Sequence, residues 1–153
     1  MTTPSFPILL IEDDANDVFF FERAYQKSGI PNLLEVVKDG QSAVDRLSGA
    51  GEYADRVAHP LPRLIVLDLN LPVRNGLEVL QWLRAQRGRP YPVVIVLTSS
   101  SDPRDIEEAY AAGANSYLVK AGDPNQLGAL VELIKTYWLA HNRLPPTDAR
   151  RSA

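Results

Sequence analysis

The stretch Arg63-Leu64-Ile65-Val66-Leu67-Asp68-Leu69-Asn70-Leu71-Pro72 decides the fold, read together with Ile8-Leu9-Leu10-Ile11-Glu12-Asp13-Asp14 near the start of the chain. In each, a short apolar run ends abruptly in acid. Apolar runs of this length are strands buried on both faces, and in a parallel α/β sheet the carboxyl ends of such strands form the ligand crevice. Glu12, Asp13 and Asp68 are therefore expected to converge on one site. Three carboxylates at close range repel one another, so the cluster is costly unless protons, a divalent cation or a lysine compensates. Magnesium suits an open, oxygen-only site that keeps several waters. The plainer alternative is that each acid caps the helix after its strand. It is disfavoured because later strands supply further parts of the same site.

Those parts are Thr98, at the end of Pro92-Val93-Val94-Ile95-Val96-Leu97, and Lys120, at the end of Ser116-Tyr117-Leu118-Val119. Taken alone, Thr98 is an ordinary β-branched strand residue and Lys120 an ordinary surface lysine. Taken with the acids, they make four strand ends that contribute side chains to one place.

Between these strands lie helical patterns. Asn16 to Ser28 reads as the first helix, stopped by Gly29 with Pro31 beyond it. Leu34 to Val37 is a short second strand, and Gln41 to Leu47 begins the second helix. Gly49 to Pro62 is polar and rich in glycine and proline, a surface excursion before the Asp68 strand. Asn75-Gly76 marks a turn, and Leu77 to Gln86 is a third helix with Val79, Leu80 and Leu83 inward. Asp102-Pro103 and Asp123-Pro124 each supply an aspartate N-cap followed by proline at the first helical position. Five alternating units predict an α/β fold, a doubly wound five-stranded parallel sheet of order 2-1-3-4-5, whose crevice lies beside strands one and three.

The composition agrees. The 153 residues are enough for one domain with a real core, and the net charge of −3 offers no basic footprint for nucleic acid. Cysteine is absent, which excludes a disulfide framework and thiolate metal sites. No apolar run approaches the length of a membrane span, and Met1-Thr2-Thr3-Pro4 has no basic n-region. The chain reads as cytoplasmic, with no membrane partner and no direct nucleic-acid partner.

An acid pair, a single aspartate followed by Asn-Leu-Pro, a hydroxyl and a lysine, in that order, resemble the receiver domain of two-component response regulators, a flavodoxin-like fold. The resemblance covers residues 7–141 and leaves 142–153 as a C-terminal tail. It implies that Asp68 is the phosphoacceptor, that Glu12 and Asp13 hold Mg2+ with Asp68 and the main-chain carbonyl of Asn70, that Thr98 is the switch hydroxyl and that Lys120 binds a phosphoryl oxygen. Tyr117 would move into the space that Thr98 vacates. The partner implied is a sensor histidine kinase, and the chain would act as a signalling module rather than an enzyme. Two departures from the family pattern stand out. Ala121 follows the lysine where a proline in a cis peptide is usual; a cis bond here would cost about 2.5 to 4 kcal/mol, so a trans peptide is expected. Glu12 stands where many receivers have aspartate, and its extra methylene still lets a carboxylate reach a metal-bound water.

Two helices carry more apolar surface than one core needs. In the first, helical spacing lets Val18, Phe21 and Tyr25 share the buried face, which leaves Phe19 and Phe20 for docking a kinase or for cover under neighbouring loops. In the last, expected from Asp123 to about His141, Leu127, Leu130, Val131, Ile134 and Trp138 face the sheet. Leu133, Tyr137 and Leu144 form a second stripe suited to a homodimer contact. Thr136-Tyr137-Trp138-Leu139 followed by Leu144-Pro145-Pro146 resembles the C-terminal region of stand-alone receivers paired with bacterial phytochromes. Two other readings are an aspartyl-phosphate phosphohydrolase, which would want a second aspartate where Asn70 stands, and a receiver-like interaction module that no longer takes phosphate.

Overall fold

The computed structural model describes residues 6–86 and 92–145. Five strands, β1 (Ile8–Ile11), β2 (Leu34–Val37), β3 (Leu64–Leu67), β4 (Val93–Thr98) and β5 (Ser116–Val119), alternate with helices α1 (Ala15–Ser28), α2 (Gly40–Ser48), α3 (Gly76–Ala85), α4 (Pro103–Ala111) and α5 (Leu127–Leu133). All neighbouring strands are parallel, in the order β2-β1-β3-β4-β5. The expected doubly wound sheet is what the chain forms.

The apolar runs are continuous because both faces are covered, and successive residues divide between the faces. Leu9, Ile11, Ile65, Leu67, Val94 and Val96 enter a core with Ala43 and Leu47 of α2, Val79 and Leu80 of α3 and Ala109 of α4. Ile8, Leu10, Leu64, Val66, Val93, Ile95 and Leu97 enter the opposite core with Phe21 and Tyr25 of α1 and Val131 of α5. This two-sided burial fixes the register, since a slip of one residue would exchange the two sets of side chains.

The helix ends follow their local chemistry. Gly29 takes the left-handed conformation that stops α1, at φ 74°. Asn75 accepts from the Glu78 amide while Glu78 reaches back to the Asn75 amide, a capping box that starts α3 at Gly76 rather than at Leu77. Asp102 and Asp123 accept amide hydrogens of the turns they begin, each followed by proline.

The last helix departs from expectation. Pro124–Gln126 is a tight 3-10 turn, α5 runs only from Leu127 to Leu133, and Ile134–His141 continues as a π-helix. Trp138 and Leu139, adjacent in sequence, both pack against the core beside Ile134. The chain then doubles back: Leu144 packs on that same core, and the Arg63 guanidinium donates to the carbonyl of Pro145. Leu144, expected in the dimer stripe, is partly buried against the core of its own chain. Pro146 and the remainder of the tail through residue 153, like Met1-Thr2-Thr3-Pro4, lie outside the described residues. Among the described residues no helix is long and apolar enough to cross a membrane.

Candidate functional site

The sheet delivers the site through its register. Ile11 lies opposite Leu67, and the Asp68 amide continues the ladder by donating to the Ile11 carbonyl at 3.0 Å. The Glu12 amide donates to Val37 at 3.0 Å. On the far side, the Lys120 amide donates to the Thr98 carbonyl at 2.7 Å, so the ends of β4 and β5 are tied where both side chains leave the sheet. A tight approach closes the loop after Asp68: a Cβ at Gly76 would run into the Asp68 carbonyl oxygen, so only glycine lets α3 start this close.

Glu12, Asp13 and Asp68 each offer a carboxylate oxygen, and these oxygens lie within 4.8 Å of one another. Asp13 is exposed while Glu12 and Asp68 are buried. Asp68 accepts the Asn70 amide at 3.1 Å and the Lys120 ammonium at 3.0 Å. Lys120 also donates to Glu12 and, at 2.9 Å, to Asp17. Burial pushes the Glu12 carboxyl up to about 7, with the Lys120 ammonium pulling it down and the neighbouring Asp68 raising it. For Lys120, burial works against the charge, but the hydrogen bonds to Glu12 and Asp17 outweigh it and hold the pKa above the ordinary lysine range.

Thr98 completes the group in an unusual way. Its side chain is 0 % exposed, and its hydroxyl has no hydrogen-bond partner among the described residues. Buried hydroxyls are nearly always paired, which marks this one as a candidate contact for a ligand. Tyr117 is half-buried, packed beside the core under α2, α3 and α4, and its hydroxyl donates to the Ser100 carbonyl at 2.9 Å. The donor set is oxygen throughout, one carboxylate is open to water and one hydroxyl lacks a partner. Such a site fits a hard divalent cation together with a small oxyanion.

The structure thus brings together the carboxylates of Glu12, Asp13 and Asp68 with the Lys120 ammonium, sets Asn70 beside them through its amide, and leaves Thr98 at the end of β4, where its carbonyl accepts from the Lys120 amide. The Lys120-Ala121 peptide is trans, as there is no cis bond among the described residues. Phe19 is 58 % exposed, whereas Phe20 is half-buried and lines, with Phe21, a cavity of about 400 Å³ that opens beside Glu12, Asp68 and Lys120. Leu133 and Tyr137 are 56 % and 55 % exposed. Sequence reasoning missed Asp17, although its place four residues after Asp13, in the first turn of α1, was a usable signal. It also missed Val73, which holds a positive φ of 68° in the loop between Asp68 and α3, a conformation costly for a β-branched residue.

Comparison with known proteins agrees with this geometry. The family model described as "Response regulator receiver domain" matches residues 8–132. The probable methanogenesis regulatory protein FilR2 of Methanothrix harundinacea is 40 % identical over 92 % of this chain and 88 % of its own. Response regulator Rcp1 of Synechocystis is 34 % identical over 94 % of this chain and 96 % of its own, and the Mn(2+)-bound form of Rcp1 superposes with a TM-score of 0.83, covering 94 % of this chain and all of that one. The phosphorylated cyanobacterial phytochrome response regulator RcpA, at 34 % identity, superposes with a TM-score of 0.85 over 94 % of this chain and all of its own. With the acids, the hydroxyl and the lysine standing at the ends of β1, β3, β4 and β5, the chain belongs to the response regulator receiver domains of two-component signalling.

Proposed function

We propose that this chain is a response regulator that takes a phosphoryl group from a histidine kinase onto Asp68 and thereby changes its association with partners. One observation carries the reading. Asp68 accepts from the Lys120 ammonium beside two further carboxylates, and the neighbouring strand β4 ends in a buried hydroxyl that has no partner among the described residues. In the transfer, an Asp68 carboxylate oxygen attacks the phosphorus of a phosphohistidine; the new P–O bond forms as the P–N bond breaks, and the imidazole nitrogen leaves with the electron pair and takes a proton. Negative charge spreads over the equatorial oxygens. Lys120 meets one of them, and Thr98 with the Asn70 amide donates to another. Mg2+, held by Glu12, Asp13, Asp68 and the Asn70 carbonyl, would supply the remaining positive charge. That Rcp1 has a Mn(2+)-bound form and RcpA a phosphorylated one supports carrying both properties over to this chain.

The likeness to the phytochrome response regulator RcpA favours a phytochrome-type kinase as the donor, with Phe19 and Phe20 on the face of α1 that receives it, in the cytoplasm. Output then runs through a homodimer. Leu133 and Tyr137 are the exposed apolar residues of the last helix, and a two-fold contact would bring that patch together twice. Thr98 turning to the phosphoryl group would draw Tyr117 after it and so reach the surface of β5 and its neighbours.

Intact-mass measurement after incubation with phosphoramidate and Mg2+ tests the core of this. The wild type should gain one phosphoryl mass, while Asp68→Asn, or the wild type with all divalent metal chelated, should gain none. A wild type that stays unmodified would leave the interaction-module reading in its place. Sedimentation at micromolar concentration tests the output: Tyr137→Asp should stay a monomer under conditions where the wild type forms dimers, and a wild type that is monomeric both with and without the phosphoryl group would remove the dimer.

A further inference from the structure

The ammonium of Lys120 has three protons, and each has its own carboxylate: Glu12 at the end of β1, Asp68 at the end of β3, and Asp17 in the first turn of α1. Two of these partners change their chemistry when a phosphoryl group arrives. One Asp68 oxygen becomes the bridging oxygen of an acyl phosphate, and Glu12 belongs to the set that would meet the metal. Asp17 does neither. We propose that Asp17 is a positioning residue that holds the Lys120 ammonium over Asp68 and so sets how fast Asp68 takes a phosphoryl group. The inference rests on the reading of Asp68 as the phosphoacceptor.

The chain around Lys120 shows why such a brace is required. Beyond it, Ala121, Gly122, Asp123 and Pro124 run along the cavity of about 400 Å³ whose other walls include Phe20 and Leu127. A Cβ placed on Gly122 would meet nothing within 4 Å. The backbone at Gly122 is therefore not wedged, so this loop does little to direct the Lys120 side chain, which is itself only 15 % exposed. A flexible four-carbon stem beside open space needs its charged end fixed by partners. Asp17 is itself well fixed. Its amide donates to Asp14 Oδ1 at 3.0 Å, alongside the Asn16 amide at 2.9 Å, and the Asp14 amide donates to Glu12 at 3.2 Å. The contacts close a ring from Glu12 through Asp14 and Asp17 to Lys120 and back to Glu12.

An acid in the first turn is also favoured by the helix dipole alone, by about 0.3 to 1 kcal/mol. That preference does not direct the carboxylate to an ammonium 103 residues further along the chain, which it meets at 2.9 Å. With its side chain 43 % exposed, Asp17 adds little to stability through this ion pair, so its contribution is geometric.

The experiment uses the full chain, phosphoramidate as donor and saturating Mg2+, with the rate of phosphoryl gain read by intact mass; no kinase is present, so docking on α1 is not measured. Asp17→Ala should slow the reaction about tenfold, the scale on which small misplacements act, and Asp17→Asn, which keeps an acceptor, should fall between the two. In a Lys120→Ala background, Asp17→Ala should cause no further loss, because a residue that acts only through Lys120 has nothing left to position. Equal rates for wild type and Asp17→Ala, or losses that multiply in the double variant, overturn the proposal. A second measurement needs neither metal nor phosphate: in nitrogen-15 spectra of lysine side chains, the Lys120 ammonium should exchange slowly with water in the wild type and rapidly in Asp17→Ala. An unchanged signal overturns the brace. A wild type that never gains phosphate would sink the receiver reading instead, and the ammonium signal would still decide whether Asp17 holds Lys120.

Discussion

At the β2 edge of the sheet one buried cation faces one carboxylate; at the carboxyl ends of β1, β3 and β5 one ammonium faces three, with Asp13 alongside. Arg46, 0 % exposed, makes a two-point contact with Glu35 at 2.8 and 2.9 Å and spends further donors on the carbonyls of Pro60 at 2.7 Å and His59 at 3.4 Å. Arg56 then ties the same loop to the carbonyls of Arg46, Leu47 and His59. Charge and hydrogen bonds both balance there. Around Lys120 neither does, since the carboxylates outnumber the cation and the Thr98 hydroxyl has no partner. A balanced ionic group closes a structure, and an unbalanced one leaves a place for a ligand of the missing charge.

The sharpest way to break this comparison is to remove the balanced cation. Arg46→Ala leaves Glu35 facing buried surroundings and frees the segment from Gly49 to Pro62, so a loss of about 3 kcal/mol is expected. Urea unfolding measures it, and phosphoryl gain by the folded fraction should be unchanged. A variant as stable as the wild type would mean that Glu35, which keeps 24 % of its side chain exposed, is solvated well enough alone.

Tyr25 tests a second satisfied group, of roughly 2 kcal/mol in the same currency of pKa and stability. Its hydroxyl donates to the Asn32 carbonyl at 2.6 Å, and burial pushes its pKa from 10.0 to about 12. The folded state therefore holds this proton more tightly than the unfolded chain does. The stability it contributes is complete below pH 10 and is lost as pH rises through 12. Denaturant midpoints across that window should fall more steeply in the wild type than in Tyr25→Phe, and parallel curves would remove the effect.

Asp68→Asn turns the comparison round. Removing a charge from the crowded cluster should raise stability in metal-free buffer, by on the order of 1 kcal/mol, although the variant has lost its phosphoacceptor. Added Mg2+ should then stabilise the wild type more than the variant, by linkage to the folded state. A destabilised Asp68→Asn protein would show that Lys120 already compensates the acids in full.

How much of this was legible beforehand differed in the same way between the two regions. Strands buried on both faces write themselves as unbroken apolar runs, so β1, β3 and β4 could be read directly, and with them the acids at their ends. Caps are local chemistry, so Gly29, Asp102 and Pro103 could be read too. Arg46 could not, because an arginine in a helix reads as solvated until Glu35 and Pro60 are folded around it. Asp17 escaped because its partner lies far along the chain. The π-helix over Ile134–His141 has no glycine or proline to announce it. Leu144 looked like part of a surface stripe because only the tertiary fold shows the chain turning back past Arg63.

The smallest expected change in stability belongs to Thr98, and it bears most directly on what an unbalanced site is for. Thr98→Val keeps the shape and the β-branch in a central strand while removing a buried hydroxyl that makes no hydrogen bond. Elsewhere in a core, replacing a paired threonine by valine forfeits the bond and strands its partner; here there is no partner to strand, so stability should be unchanged or rise by about 0.5 kcal/mol. The variant should still gain a phosphoryl group from phosphoramidate, since Asp68, Lys120 and the acids are intact. What it should lose is the response, because the group that would turn to the new oxygen and make room for Tyr117 is gone. Dimerisation or partner binding that changes weakly on phosphorylation, against a strong change in the wild type, is the expected result. If Thr98→Val instead unfolds more easily by 1 kcal/mol or more, the hydroxyl has a partner in solution, and the site is closer to the balanced state of Arg46 than its geometry indicates.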